Sequence, residues 1–315
     1  MAHEPLPSPY AALIAATPVE RSALTVRGGR THLWHYGAGD ASEHMVLLHG
    51  FRGDHHGLEP IVAHLLRLRP RLRVTVPDLP GFGASPPLPG GRHDVAGYAA
   101  WARALLRKVA PTGDVVLGGH SFGSVVAAAT TASCEGAPVP LTRRLVLVNP
   151  IPRRPLSGRD TLSVGATAVL HGLAGILPEE TGTSLLRHPA LTRVASVAMV
   201  RTGDRALRRW IHEEHGRYFA GFATRASLLE AFHASITASV RDSAAAVDVP
   251  TLLIGGTRDD LARVADQRAL AARFRDARLG LVPDVGHLTH YETPAEVASQ
   301  IAPFLAEKGV PAAAA

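Results

Sequence analysis

The residues best suited to chemistry are a serine, an aspartate and a histidine from three separate segments of the chain. Ser121 stands between glycines in VVLGGHSFGSVV, Asp259 ends GGTRD, and His287 follows a glycine in VPDVGH. A serine hydroxyl is too weakly acidic to attack a carbonyl unaided at neutral pH, so a base must take its proton. Histidine can be that base when a carboxylate holds its tautomer. These residue types therefore predict nucleophilic acyl chemistry.

The G-x-S-x-G motif around Ser121 is weak evidence when it is considered alone. With 30 glycines and sixteen serines in the chain, roughly 0.15 accidental matches are expected. The setting of the motif is more specific. Asp114–Leu117 is predicted to be a strand, 118–123 a sharp turn, and the small apolar residues from Ser124 onward a helix. This strand–turn–helix order is what a nucleophile elbow requires.

Short apolar runs predict the elements that must position these residues. Ala23–Arg27 and Thr31–Tyr36 alternate around a glycine pair and predict a β-hairpin. Continuous apolar runs typical of strands buried on both faces follow: Met45–Leu48, Val74–Val76, Val115–Leu117, Leu145–Val148, Thr251–Ile254 and Leu279–Val282. Helical patterns lie between most of them: Gly57–Leu68, Val95–Val109, Ser124–Ala132, Leu261–Phe274 and Pro294–Leu305. The alternation predicts an α/β fold with a doubly wound, mostly parallel sheet flanked by helices.

One long interval interrupts this alternation. Residues 150–247 contain no strong strand pattern, whereas Arg205–Phe222 and Ala226–Val247 have helical spacing. The interval is far longer than a crossover connection needs. We predict that it is a helical cap rather than a separate subdomain, because both its ends return to the sheet edge where ligands bind. The predicted organisation is an N-terminal extension over 1–20, a core over 21–149 and 248–315, and the inserted cap.

Four segments resemble the α/β-hydrolase fold superfamily. MVLLHGFRG and VTVPDLPGFGAS are similar to its HG loop and its D-x-P-G-x-G-x-S loop, each with the preceding strand. TLLIGGTRDD and VPDVGHLTHYETP are similar to the segments that carry its acid and its histidine. The resemblance covers about 20–150 and 248–305. It implies the fold of that superfamily and a serine-nucleophile hydrolase.

The resemblance also implies roles for particular residues. The chain order Ser121, Asp259, His287 is the order expected of this fold, and the backbone N–H groups of Phe51 and Phe122 correspond to the oxyanion hole. Two neighbours compete for these roles. Asp260 is adjacent to Asp259, although the spacing from Gly256 favours Asp259. His290 lies one helical turn from His287, and we expect it to line the pocket or to meet solvent.

The HGFRGDHH stretch brings potential metal ligands together in the sequence. His49, Asp54, His55 and His56 stand within eight residues. Adjacent histidines are expected to point apart in an extended loop, and no second cluster at ligand spacing completes a set, so we predict no metal. Arg52 and Asp54 are expected to pair with each other or to face the pocket. PGFGAS lacks the third glycine of a dinucleotide-binding loop, and we predict no cofactor.

The identity of the nucleophile narrows the reaction class. Superfamily members that resemble this chain but open epoxides or remove halogens carry Asp at the elbow, whereas this chain carries Ser121. We predict a serine hydrolase that cleaves a small, largely apolar ester, thioester or lactone through an acyl-enzyme. The alternatives are a carbon–carbon bond hydrolase or lyase with the same triad, or a weakly catalytic ligand-binding receptor. Aromatic residues of the cap are candidates for substrate binding: Trp210, Tyr218 and Phe222.

Composition bears on partners and on location. The net charge is +6, but the arginines are dispersed rather than gathered in a stripe, which disfavours a nucleic-acid partner. Cys134 is the one cysteine of the chain, so no intrachain disulfide forms, as in a reducing compartment. No run of about 18 apolar residues suits membrane insertion, and the N-terminus does not resemble a signal peptide. We predict a cytoplasmic enzyme with a small apolar acyl substrate.

Overall fold

A computed structural model describes residues 6–132, 141–157 and 161–307 of the protein. Cys134 and the outermost residues of the predicted N-terminal extension and core lie outside these ranges. The eight strands are β1 Val19–Val26, β2 Gly29–Tyr36, β3 Glu43–Leu48, β4 Leu72–Pro77, β5 Val116–His120, β6 Arg144–Val148, β7 Thr251–Gly256 and β8 Ala277–Val282. Every apolar run that predicted a strand coincides with one of them, with shifts of a few residues at the ends.

The helices account for most of the remaining described chain. They are α1 Ala11–Ala15, α2 Glu59–Leu68, α3 Val95–Val109, α4 Phe122–Ala132, α5 Thr161–Ile176, α6 Glu179–Arg187, α7 Pro189–Met199, α8 Arg205–Tyr218, α9 Arg225–Thr237, α10 Val264–Ala271, α11 Thr289–Glu292 and α12 Pro294–Ala306. Short 3-10 helices span His55–Leu58, Pro155–Ser157, Val240–Asp242 and Ala244–Ala246. No helix among the described residues is both long and apolar enough to cross a membrane.

The eight strands form one sheet in the order β1-β2-β4-β3-β5-β6-β7-β8. The pairs β1–β2 and β2–β4 are antiparallel, and every other pair is parallel. The predicted doubly wound, mostly parallel sheet is confirmed. Because the carboxyl ends of parallel strands meet at one edge, the turns that follow β3, β5, β7 and β8 share that edge.

Helices cover both faces of the sheet, which explains the continuous apolar runs. Strands β5, β6 and β7 are buried along their whole length. Residues of α3 and α4, including Trp101 and Val126, pack on one face. Residues of α2 and α12, including Ile61 and Ile301, pack on the other. Strands enclosed in this way have no polar face, so alternation is absent from their sequence.

Several predicted boundaries differ for identifiable reasons. Helix α4 begins at Phe122 rather than Ser124, because β5 extends to His120 and the turn occupies Ser121 alone. Helix α10 begins at Val264 rather than Leu261, because Asp259 Oδ1 accepts the N–H groups of Leu261 and Ala262 and holds that segment as a turn. Strand β1 begins at Val19, inside the segment predicted as an N-terminal extension.

The segment predicted as a cap contains more helices than its sequence indicated. Helices α8 and α9 correspond to the predicted stretches and end earlier, at Tyr218 and Thr237. Helices α5, α6 and α7 were not predicted. Helix α5 has no charged side chain along its 16 residues, so it shows little contrast between a polar and an apolar face. Periodicity is informative only where that contrast exists.

Candidate active site

Ser121 occupies a strained turn between β5 and α4. Its φ is +53°, a left-handed conformation that costs a non-glycine residue about 1–3 kcal/mol. The close packing of strand and helix excludes side chains on both sides. A Cβ at Gly119 would lie 2.2 Å from the carbonyl oxygen of Gly123, and a Cβ at Gly123 would lie 2.4 Å from that of Leu48. The two glycines of the motif are therefore required by backbone packing.

Ser121, His287 and Asp259 form a continuous hydrogen-bonded chain. His287 Nε2 lies 2.8 Å from Ser121 Oγ, and His287 Nδ1 lies 2.9 Å from Asp259 Oδ2. Asp259 and His287 are buried, whereas Ser121 is partly exposed. The carboxylate can hold the proton on Nδ1, which leaves Nε2 free to accept the serine proton. The structure thus brings together the three residues that the sequence predicted, in the order needed for proton transfer.

The environment of Asp259 keeps its carboxyl group charged. Burial by itself raises the pKa of Asp259, but the charge and hydrogen bond of His287 and a hydrogen bond from Asn149 lower it, and the net pKa lies below the ordinary value. Asn149 Nδ2 donates to Asp259 Oδ2 over 3.1 Å and lies 3.3 Å from the carbonyl oxygen of Gly286. Asn149 therefore connects the acid to the loop of the histidine.

Asn149 is not among the site residues that the sequence predicted. The residue follows β6 directly, is fully buried and has a φ of +44°. Its side-chain oxygen accepts a hydrogen bond from Thr289 Oγ1. The available signal was a polar residue immediately after the apolar run LVLV, at the carboxyl end of a strand adjacent to β5. Polar residues in that position are candidates for site residues in open α/β sheets.

The two competing residues have other environments. Asp260 is exposed and forms an ion pair with Arg201, so it does not contact His287. His290 is buried, and its ring centroid lies 4.0 Å from that of His120. The expectation that His290 meets solvent is wrong, because α11 places it in the interior, and it is not among the residues that line the cavity beside His287. His290 Nδ1 has no hydrogen-bond partner among the described residues.

The HG loop lies directly against the serine. A Cβ at Gly50 would be 3.1 Å from Ser121 Cβ. His49 orients the loop, since its Nδ1 donates to the carbonyl of Gly50 over 2.9 Å and its Nε2 accepts the N–H of Leu79 over 2.8 Å. The amides of Phe51 and Phe122 donate to no hydrogen bond within the described part of the chain. Their role as donors to an oxyanion at Ser121 stays a prediction.

The residues after the HG loop differ from their predicted arrangement. Arg52 does not pair with Asp54; it donates to the carbonyls of Leu186 and Phe219 and so connects the loop to α6 and to the end of α8. The rings of His55 and His56 do not point apart, because a 3-10 turn places their centroids 3.8 Å from each other. Each Nδ1 contacts a carboxylate, Asp78 for His55 and Asp54 for His56.

This turn is the one place among the described residues where three potential metal ligands converge. One ligand atom from each of Asp54, His55 and His56 lies within 4.8 Å of the others. Internal partners account for the cluster, because both Nδ1 atoms are engaged by carboxylates. His56 and Asp54 form an ion pair, and the hydrogen bond and charge of Asp54 raise the pKa of His56 against the lowering effect of burial. The absence of a metal stays a prediction.

The three aromatic residues predicted to bind substrate have packing contacts. Trp210 is buried between Tyr10 and Tyr291, Tyr218 stacks on His56 at 4.0 Å, and Phe222 lies under the guanidinium of Arg187. A cavity of about 260 Å³ beside His287 and Asp259 is lined by other side chains, including Met199, Arg258 and Leu261. Substrate binding by Trp210, Tyr218 and Phe222 stays a prediction.

A group of buried histidines lies behind the site. Burial lowers the pKa of His120 and of His215 to about 3, and burial together with the charges of neighbouring histidines places the pKa of His290 well below its usual value. Groups that stay neutral in the folded protein bind fewer protons than they do in the unfolded chain. Their contribution to stability is therefore complete above about pH 6.5 and is lost as the pH falls.

We expect this loss to be measurable at mildly acidic pH. Lowering the pH from about 7.5 to about 5 should cost the protein about 2 kcal/mol of unfolding free energy for each such histidine. His290→Leu should reduce the loss by that amount in urea unfolding at the two pH values. The exposed His233 offers the matched control, His233→Leu, whose loss should equal that of the parent. Equal losses for His290→Leu and the parent would contradict the prediction.

Comparison with known proteins places the chain among related sequences and folds. A model of the alpha/beta hydrolase family matches residues 45–300. The sn-1-specific diacylglycerol lipase ABHD11 of Danio rerio is 25% identical over 270 residues, which cover 85% of this chain and 80% of that protein.

Two solved structures share the fold at low identity. The esterase EaEST from Exiguobacterium antarcticum is 16% identical with a TM-score of 0.71, and the match covers 91% of this chain and 100% of that one. The enol-lactonase from Burkholderia xenovorans LB400 is 21% identical with the same TM-score and the same coverage.

Proposed function

The chain belongs to the alpha/beta hydrolase family, and we propose that it is a serine hydrolase that cleaves a small, largely apolar carboxylic ester through an acyl-enzyme at Ser121. The observation that carries this proposal is the contact of 2.8 Å between His287 Nε2 and Ser121 Oγ, with Asp259 on the other ring nitrogen. A nucleophile, its base and an orienting carboxylate in hydrogen-bond reach are the arrangement that activates serine.

The first half of the reaction forms the acyl-enzyme. Ser121 Oγ attacks the ester carbonyl while His287 Nε2 takes the serine proton. The carbonyl oxygen becomes an oxyanion, for which the free amides of Phe51 and Phe122 are the available donors. The intermediate then expels the alcohol, which takes the proton from His287. The charged, buried carboxylate of Asp259 stabilises the imidazolium that exists between these steps.

The second half returns the enzyme to its starting state. His287 takes a proton from a water molecule, whose oxygen attacks the acyl carbon at the same oxyanion site. The tetrahedral intermediate breaks its bond to Ser121 Oγ, and His287 returns the proton to the serine. The carboxylic acid leaves. In both halves of the reaction His287 Nε2 takes up a proton and then releases it. The same ring nitrogen, in contact with Ser121 Oγ, therefore acts as base and acid throughout.

We infer an apolar acyl group of modest size from the apolar surface beside His287, in a cavity whose lining does not include Ser121 itself. Ala198, Met199 and Leu261 contribute apolar surface beside His287, and the volume is about 260 Å³, near the lower end of the range for ligand pockets. Relatives described as an esterase, a lactonase and a diacylglycerol lipase are consistent with an ester or a lactone. Diacylglycerols and enol-lactones are different compounds that both contain a carboxylic ester bond. We therefore propose the bond that is cleaved rather than one particular substrate.

Covalent labelling is the direct test of the proposed nucleophile. A fluorophosphonate probe should label the folded protein once, and peptide mapping should place the adduct on Ser121. His287→Ala should be labelled much more slowly, because the hydroxyl loses its base. A folded protein that remains unlabelled, or an adduct on another serine, would show that Ser121 is not the activated residue.

A series of p-nitrophenyl esters with increasing acyl-chain length should then set upper and lower limits on the size of the acyl pocket. We expect kcat/KM to rise with acyl length while the chain fills apolar surface and to fall once the chain exceeds the cavity. A burst of p-nitrophenol equal to the enzyme concentration would report accumulation of the acyl-enzyme. Turnover of a vinylogous diketone, with no turnover of any ester, would instead identify a carbon–carbon bond hydrolase.

A further inference from the structure

Exposed hydrophobic side chains are concentrated in the cap. Of the eight large hydrophobic side chains that are exposed among the described residues, six lie between residues 150 and 247: Leu156, Val169, Leu173, Ile176, Val194 and Val197. Val194 is 69% exposed and Val197 is 54% exposed. Scattered single residues of this kind are ordinary on a protein surface, but Val194 and Val197 lie three residues apart on α7 and are therefore neighbours on that helix.

The surface of α7 combines these apolar side chains with positive charge. We call Val194, Val197 and Arg193, together with Arg205 of α8, the α7 surface. Between residues 187 and 209 the sequence has six arginines and a single acidic residue, Asp204. Arg193 and Arg205 are exposed and are in no ion pair among the described residues, whereas Arg201 is paired with Asp260. Valines beside unpaired arginines form an amphipathic, cationic helix face.

The arginines of α7 and α8 lie along the same seam. Ser196 Oγ lies 2.6 Å from His212 Nδ1, which joins the two helices. Burial lowers the pKa of His212, and the charges of Arg193 on α7 and Arg208 on α8 lower it further, so both charges are close to this contact. Arg205, Arg208 and His212 share one face of α8 because they are three or four residues apart.

The α7 surface lies near the cavity beside His287 and Asp259. Ala198 and Met199, at the end of α7, line the cavity beside His287 and Asp259. Val194 lies four residues before Ala198, one helical turn away on the same side. A partner that covers Val194 and Val197 would therefore lie next to the opening of the cavity.

We propose that the α7 surface docks on the surface of an anionic phospholipid bilayer. The valines would enter the boundary between headgroups and acyl chains, and the arginines would bind lipid phosphates. The docking is peripheral and needs no helix to cross the membrane. Delivery of an acyl chain from the bilayer into the cavity rests on the proposed function, whereas the docking itself does not.

The positive charge of the α7 surface favours a bilayer rather than a second copy of the chain as its partner. Two copies joined through this surface would bring their arginines together, and like charges facing each other weaken such an interface. An anionic bilayer supplies opposite charge to the arginines and an apolar layer to the valines at the same time. An acidic protein would satisfy the arginines and leave the valines without a comparable environment.

Vesicle sedimentation of the full chain carrying Ser121→Ala tests the docking without catalysis. Binding should be strong to vesicles that mix phosphatidylcholine with phosphatidylglycerol, weak to phosphatidylcholine alone, and reduced by salt. Val194→Ser with Val197→Ser should weaken it by about tenfold or more, and so should Arg193→Gln with Arg205→Gln. Thermal midpoints equal to that of the parent would establish that the exposed substitutions preserve the fold.

The chain offers matched controls on a different surface. Val19 and Leu68 are each 49% exposed, and Arg67 and Arg71 are exposed beside Leu68. The double substitutions Val19→Ser with Leu68→Ser and Arg67→Gln with Arg71→Gln should leave vesicle binding unchanged. Equal binding to both kinds of vesicle, no binding, or equal losses in the controls would overturn the proposal.

Two further measurements distinguish a bilayer from a second copy of the chain, and docking from catalysis. A dimer in light scattering that Val194→Ser with Val197→Ser dissociates, without vesicle binding, would assign the surface to a second copy and overturn the proposal. Labelling of the native serine by fluorophosphonate is measured in the absence of lipid. Its failure would therefore affect only the proposed function, and failure of vesicle binding would affect only the docking.

Discussion

Replacing Ser121 with alanine should lower kcat for the preferred ester by roughly 10⁵- to 10⁶-fold. The reason is that Oγ is the atom that attacks and then carries the acyl group, and Ser121 supplies the hydroxyl that contacts His287 Nε2. The residual rate should reflect the oxyanion donors and substrate binding alone. Stopped-flow and steady-state measurements on the same ester series, with protein concentration determined independently, give the ratio.

Two companion variants make this result interpretable. Ser299→Ala, on the exposed side of α12, should retain the parental rate. His287→Ala should lose about as much activity as Ser121→Ala, and the double variant should lose little more, because residues that act as a unit are not additive. A Ser121→Ala protein that retains more than about a hundredth of the parental rate would remove Ser121 from the mechanism.

Asp259→Asn should lower kcat by about 10⁴-fold, whereas Asp260→Asn should change it less than about twofold. An amide in place of the Asp259 carboxylate can donate to His287 Nδ1 and so favours the tautomer with its proton on Nε2. That tautomer has no lone pair for the Ser121 proton. Asp260 is directed to Arg201 at the protein surface, so its substitution removes an exposed ion pair and leaves the histidine unchanged.

The pH dependence distinguishes this tautomer effect from loss of structure. Asp259→Asn should regain part of its rate at high pH, where another base can act in place of His287. A merely destabilised protein should lose activity there. Thermal unfolding and near-ultraviolet circular dichroism should match the parent. A large loss for Asp260→Asn with a small loss for Asp259→Asn would move the acid to position 260.

The predictions from sequence succeeded for elements whose secondary structure depends mainly on residues nearby in the chain. An apolar run of three or four residues between turn residues is typical of a buried strand, and the flanking turn residues restrict its length. This is why all six strands of the parallel sheet were located. Helix α5 was not predicted because its residues are apolar or small on nearly every side. Without a contrast between polar and apolar faces, the sequence shows no helical periodicity.

The sequence by itself determined the order of Ser121, Asp259 and His287 and the strand that precedes each of them. Parallel strands have their carboxyl ends at one edge, so these residues had to lie on the same side of the sheet. Their chain order and the two glycines around Ser121 then restricted the chemistry. None of these inferences needs a distance between segments that are remote in the sequence.

The spacing in the sequence favoured Asp259 over Asp260, but only the tertiary structure decided which side chains near the site contact one another. Asp259 contacts His287 and Asp260 does not, because the turn after β7 directs consecutive side chains differently. Asn149 supports the acid from β6, and α11 places His290 in the interior. These contacts depend on how β6, β7 and β8 pack against one another. Such packing joins residues that are remote in the sequence, and Asn149 and Asp259 are more than a hundred residues apart.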